Sequence, residues 1–270
     1  MSVARRHLER AGAASAGLAP WAATGDPVRD LPDCFSGMLG TRIASASIDV
    51  SSSSGVSLEM AAEEAFSTAL DRLGSSPVRV WAFLPSITGA DQEGMNRYMR
   101  MNRGRGRAYR AKDLNWFPAG TGVGHSGRLL VVHALSFDAA ARPVENPRQV
   151  PAWRYSAAYG PQSPPFSRGV AVGDMFLAAG TAAVVGEGTV HSGDLLAQWV
   201  ETLRNLQAVS ESAGVVGYWR SIRAYVREVA HVEVVTDLAL QAFGAALDGV
   251  LLADLCRDDL LVEVEGVRHA

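Results

Sequence analysis

Lysine is almost missing from this 270-residue chain, in which Lys112 stands alone beside 24 arginines. A Schiff-base mechanism therefore has one candidate, lying in a polar segment, and is set aside. Cysteine is scarce too. Cys34 and Cys256 are far apart and form no CxxC or Cys/His spacing, which disfavours a disulfide scaffold and a structural zinc site. Six histidines show no HxH or HExxH pattern, so neither a metal nor an organic cofactor is expected. No apolar run approaches the ~18 residues that span a bilayer. A net charge of −3 gives neither nucleic acid nor an anionic membrane a reason to bind. Arg5-Arg6 ahead of the Ala/Gly stretch 11–19 has the outline of a twin-arginine export signal, but Glu9 and Arg10 interrupt it. Residues 1–28 are read as a flexible N-terminal arm and the chain as cytoplasmic.

What is present is an ordinary globular composition, 48% hydrophobic and 20% charged, on a chain long enough for two compact halves. Alternation predicts strands over Thr41–Val50, Val78–Leu84 and Arg128–Phe137, and a turn over Ser51–Gly55. Apolar residues at helical spacing predict a helix over Leu58–Leu73 and a second from Asp91 to about Met101. The arginine-crowded stretch that follows, to Arg110, reads as a solvated face or loop, and Asn115–Gly124 as a glycine-punctuated loop. The order then recurs. Met175–Val185 and Ser221–Glu228 are strands, Asp194–Ala213 and His231–Leu247 helices, and Val250–Leu255 and Leu260–Val267 closing strands. Strands alternating with helices imply an α/β (α+β) fold, with helices packed on one face of each sheet.

Between these halves lies Glu145–Gly169, ENPRQVPAWRYSAAYGPQSPPFSRG, with five of the chain's twelve prolines. Proline fixes φ and removes a donor, so this stretch is no central strand. Its arginines, set among aromatic rings, suit a small anionic substrate: guanidinium forks pair with carboxylates and rings wall off a planar molecule. A stiff interdomain linker is an equally good reading of the composition.

These residues resemble a known family. ENPRQ, an aromatic-rich strand and YGPQSPPFSRG, followed in order by GTAAVVG at 180–186, AYVRE at 224–228 and CRDDLLVEVEG at 256–266, resemble the chorismatases from roughly Arg97 to Val267. The resemblance implies two fused imine-deaminase-like units, each a mixed sheet with helices on one face, at 29–144 and 145–270. The second unit carries the catalytic motifs. It also implies a monomer with pseudo-trimeric architecture that needs no cofactor. Its substrate would be chorismate, cleaved to pyruvate and most directly 3-hydroxybenzoate for secondary metabolism and antibiotic biosynthesis. Hydrolysis to a trans-dihydroxycyclohexadiene carboxylate, and a non-catalytic small-anion-binding role, remain open.

Such chemistry asks for one acid still protonated near neutral pH and for cationic clamps on two carboxylates. Strand alternation puts Glu263 and Glu265 on one face, where both would equally suit solvent. The family pattern V-E-φ-E-G makes Glu263 the acid and leaves Glu265 a supporting role. Arg148, Arg168 and Arg227 coincide with family motifs and are the clamp candidates, though each alone is equally a surface side chain. Tyr155 is expected to line the ring or bond a carboxylate. Gly180 is expected to let backbone approach the ligand. In the family, a cysteine at the place of Cys256 accompanies 3-hydroxybenzoate formation. Arg105 is taken as a surface arginine with no part in binding.

Overall fold

The computed structural model describes residues 21–35, 40–51, 55–91 and 93–270. Strand β1 (Thr41–Asp49), helix α1 (Leu58–Leu73), β2 (Arg79–Phe83), helix α2 (Arg97–Ala111), β3 (Ala119–Val123) and β4 (Leu129–Phe137) make the first layer pair. Its sheet runs β1-β4-β2-β3; β2 and β3 are parallel and the other pairs antiparallel. The second sheet is built from β5 (Ala141–Val144), β6 (Gly169–Val172), β7 (Met175–Ala182), β10 (Tyr218–Val226), β11 (Leu247–Leu252) and β12 (Val262–His269). Its order is β11-β10-β12-β7-β6-β5. Between its strands lie a short hairpin, β8 (Val184–Val185) and β9 (Gly188–Thr189), and the helices α3 (Leu195–Ala213) and α4 (Val229–Phe243). The run β7-β12-β10-β11 repeats β1-β4-β2-β3, with β10 and β11 again the parallel pair and a helix in each crossover.

Period-two alternation decides what each sheet face buries. Val80, Ala82, Val132 and Ala134 pack under α1 and α2 with Ala62, Phe66 and Met101. Trp81, Phe83, Val131 and Leu135 point the other way, and meet Val170, Leu177, Ala179 and Tyr225 of the second sheet. The sheets therefore pack face to face with their helices outside. Helix ends follow their caps. Ser57 accepts from the Met60 amide and Gly74 closes α1 in the left-handed region, while Asp194 and Gly214 do the same for α3.

Three expectations are corrected. The helix anticipated from Asp91 begins at Arg97, because the Asp91 carboxylate accepts from the Glu93 and Met95 amides and folds a turn; Asn96 is the cap. The arginine run 97–110 is that helix. The glycine-rich stretch read as a loop contains β3. Of residues 1–28, expected as a flexible arm, 21–28 are described: the Trp21 ring meets Phe83 edge-on at 4.6 Å and the Ala23 amide donates to His125 Nδ1 at 3.1 Å, while Ala22, Thr24, Asp26 and Val28 are exposed. Residues 1–20, with Arg5-Arg6, lie outside the described residues, as do 52–54 of the serine turn. Among the described residues no helix is long and apolar enough to cross a membrane.

Candidate active site

Where the two sheets meet, a cavity of about 440 Å³ opens between β3, β7, the start of β12 and the proline-rich segment. Glu263, Gly180, Cys256, Arg168 and Tyr155 all line it, so five of the residues singled out in the sequence converge. Their convergence has a local cause. β12 pairs Glu263 with Tyr225 on one side and Ala182 on the other. β7 carries one residue more than β12 between the pairs Val264–Thr181 and Gly266–Ala178, a bulge that sets Gly180 beneath the acid. A methyl group on Gly180 would stand 2.0 Å from Glu263 Oε1. Only glycine leaves the carboxyl room to lie there.

Glu263 and Glu265 share a strand face but differ in surroundings. Glu265 is an acceptor on both oxygens: Arg79 Nη2 donates at 2.7 Å, Thr121 at 2.6 Å, Trp81 at 3.0 Å and Tyr225 at 3.1 Å. Among the described residues no such donor reaches Glu263, which is only 4% exposed. Burial first, and the Glu265 charge second, push its carboxyl up to about 8 against the pull of Arg79, Arg168 and Arg257. A carboxyl of that kind holds its proton at neutral pH and has it to give.

The cationic wall consists of Arg105, Arg168 and Arg257. Arg168 donates to the Tyr155 hydroxyl and to the Val150 carbonyl at 3.2 Å, and its side chain lies over the Tyr155 and Phe166 rings. Arg257 lies over Tyr159 at 4.1 Å and donates to the Glu187 carbonyl at 2.8 Å. Arg105 is 2% exposed and donates to the Tyr109 hydroxyl at 3.1 Å. Nη2 of Arg105 and Nε of Arg168 are buried with no hydrogen-bond partner among the described residues. Buried donors of charged groups are costly to leave unpaired. Cys256 is half-buried beside Glu263; burial and then that neighbouring charge push its thiol up to about 12, so it is a neutral SH. The Tyr98 phenol also lines the cavity, and burial raises its pKa further above neutrality.

Two clamp candidates do not border the cavity. Arg148 is held by Glu201 and by Asn205 Oδ1 at 3.0 Å. Arg227 donates to the carbonyls of Leu255 at 3.1 Å and Arg257 at 2.6 Å and pairs with Asp254 at 3.0 Å. It thereby shapes the loop that presents Cys256 and Arg257. The residues that sequence reasoning missed are Arg105, Arg257 and Tyr98. Arg257 was within reach, adjacent to Cys256 in the same motif. Arg105, placed at the surface, instead projects inward from α2. Among the described residues no cluster of three His, Cys, Asp or Glu has a metal-binding arrangement.

Comparison with known proteins gives first the fold and then the family. A crystal structure of a chorismatase superposes with a TM-score of 0.74 at 24% identity, over 84% of this chain and 74% of its own, so the fold is shared. The family profile described as chorismatase FkbO/Hyg5-like, N-terminal, matches residues 36–136. A 3-hydroxybenzoate synthase of Streptomyces hygroscopicus is 36% identical over 221 residues, 73% of this chain and 65% of that protein. A chorismatase of Streptomyces rapamycinicus is 33% identical over 71% of this chain and 64% of its own length. The chain thus spans just under two thirds of the length of these curated relatives. It belongs to the chorismatase family.

Proposed function

We propose that this chain releases pyruvate from chorismate and forms 3-hydroxybenzoate. The observation that carries the reading is a buried Glu263, its carboxyl pushed up to about 8, lining one pocket with three arginines. Chorismate has two carboxylates and an enol ether ending in a methylene. Glu263 donates its proton to that methylene, and the resulting oxocarbenium ion makes the ether a leaving group. Arg105, Arg168 and Arg257 hold the carboxylates, with the unpaired nitrogens of the first two as the donors; Tyr155, Tyr159 and Phe166 wall the ring. Breakage of the ring carbon–oxygen bond sends the ether oxygen away as the keto oxygen of pyruvate. The neighbouring ring hydroxyl closes on the vacated carbon as an epoxide, its proton returning to Glu263. The epoxide then opens by breaking its bond to the carbon that first carried the hydroxyl. The hydrogen on the newly oxygenated carbon leaves as a proton while the oxygen takes one up, giving aromatic 3-hydroxybenzoate. The two products contain all the atoms of chorismate, and no water is consumed.

Water attacking the oxocarbenium ion instead would yield the dihydroxycyclohexadiene carboxylate. The neutral thiol of Cys256 stands next to Glu263 and is bulkier and less wettable than a methyl group, so it fills space a nucleophilic water needs. The arginines come from both halves of one chain, which supports a site complete in a monomer with pseudo-trimeric architecture. Two unpaired cysteines suit a cytoplasmic setting, and a hydroxybenzoate product suits secondary metabolism. Chromatography of a chorismate reaction tests the reading. Wild type should yield 3-hydroxybenzoate, and Cys256→Ala should divert product towards the dihydrodiol. Dihydrodiol as the main wild-type product, or an unchanged ratio in the variant, would refute the role of the thiol.

A further inference from the structure

The Arg79–Glu265 pair is buried behind the cavity and borders no part of it, yet it lies on the strand face that carries Glu263. Its arrangement is one-sided. Every group around Glu265 donates to it: the guanidinium of Arg79, the indole of Trp81, the hydroxyl of Thr121 and the phenol of Tyr225. Arg79 also donates to Thr121 at 2.5 Å. Glu265 is therefore fixed as an acceptor, about 6.6 Å along the strand from its neighbour on the same face. Two carboxyls so close in an apolar interior do not both ionise readily.

We propose that Glu265 is a positioning residue for the acid: its charge, held in place by Arg79, Trp81, Thr121 and Tyr225, keeps the proton on Glu263. The proposal rests on the reading of Glu263 as the proton donor. The groups facing Glu263 come from several elements: Arg79 from β2, Tyr98 and Arg105 from α2, Arg168 from the segment before β6, Tyr225 from β10, Cys256 and Arg257 from the loop before β12, and Glu265 from β12 itself. Arg79, Arg168 and Arg257 all draw the proton off. Of the charges that bear most on Glu263, Glu265 is the one that opposes them, Asp258 and Asp259 lining the same cavity from the loop before β12; Glu265 also offsets Arg79, the nearest of the three to it. Removing its charge would therefore act twice, once by ending the repulsion and once by leaving Arg79 uncompensated.

The test is the pH dependence of kcat/KM in wild type, Glu263→Gln, Glu265→Gln and the double variant Arg79→Gln with Glu265→Gln. Wild type should lose activity as pH rises through its basic limb, which reports the ionisation of the free enzyme's acid. In Glu265→Gln that limb should move down by about one pH unit or more, with activity recovered on acidification. The double variant also lacks the Arg79 charge, so its limb should move back towards wild type. A residue that merely supports the fold would lower activity at every pH without shifting the limb and returning it. A limb that stays fixed in both variants overturns the proposal. Should a variant fail to fold, infrared titration of wild type decides. One buried carboxyl should stay protonated at neutral pH, and its band should vanish in Glu263→Gln; a band that persists there places the proton on Glu265 and overturns the proposal. Full turnover by Glu263→Gln would instead refute the donor reading beneath it.

Discussion

Replacing Glu263 by glutamine should abolish most activity and yet stabilise the fold, by an amount that grows with pH. A glutamate carboxyl titrates at 4.5 in solvent and at about 8 in this pocket. Below the lower value both the folded and the unfolded chain are protonated there, and nothing is lost. Between the two values the unfolded chain has released a proton that the folded chain still holds, so unfolding becomes easier as pH rises. Above about 8 the ionised form sits buried and the whole penalty applies. At about 1.4 kcal/mol per pH unit of that gap, the ceiling is ~5 kcal/mol. Nearby arginines are already counted in the value, while water entering the pocket would lower it, so a few kcal/mol is the working figure. Glutamine has the shape of glutamate and no proton to lose. Urea denaturation of both proteins should give nearly equal stabilities at about pH 5 and a variant more stable by a few kcal/mol at about pH 8, equivalent to several degrees in Tm. Parallel curves, offset by the same amount at every pH, would refute the claim that Glu263 is held protonated by burial.

Three further outcomes follow from the cavity and its surroundings. Arg105→Ala, Arg168→Ala or Arg257→Ala should each raise KM by roughly 10- to 100-fold, the worth of a hydrogen bond to a charged group. Arg148→Ala should leave KM near normal and modestly lower thermal stability, because Glu201, only 5% exposed, loses one of its two arginine partners and keeps Arg204; equal kinetic effects at Arg105 and Arg148 would contradict the placement. Gly180→Ala puts a methyl where Glu263 Oε1 now lies, so kcat should fall by ~10²-fold with a smaller change in KM, and an unchanged kcat would show that the acid does not need that position.

The parts of the site legible in the sequence are those with a local signature. V-E-V-E-G declares its own face by alternation, and the register with β7 and β10 then turns that face inward. The alternation alone could not separate Glu263 from Glu265, because the difference lies in Arg79 and Thr121, more than a hundred residues away in sequence. Arg105 was hidden by company. Arg97, Arg100, Arg103, Arg105, Arg107 and Arg110 look alike in sequence, and the fold sorts them. Arg100 is taken up by Asp91, Glu59 and Glu93, Arg107 by Glu59, and Arg105 alone of these three is left facing the cavity. The glycines of Ala119–Val123 suggested a loop for a physical reason that runs the other way. They are strand residues stripped of side chains so that others fit: Gly120 lies beneath Phe166 and Arg105, and Gly122 beneath Tyr98.

The central claim is that Glu263 protonates chorismate, and release of pyruvate measures it most directly. Purified chain mixed with chorismate at neutral pH, with pyruvate followed through lactate dehydrogenase, should show turnover in wild type and a loss of ~10²-fold or more in Glu263→Gln. No pyruvate above the protein-free control, or a variant that keeps pace with wild type, would contradict the account.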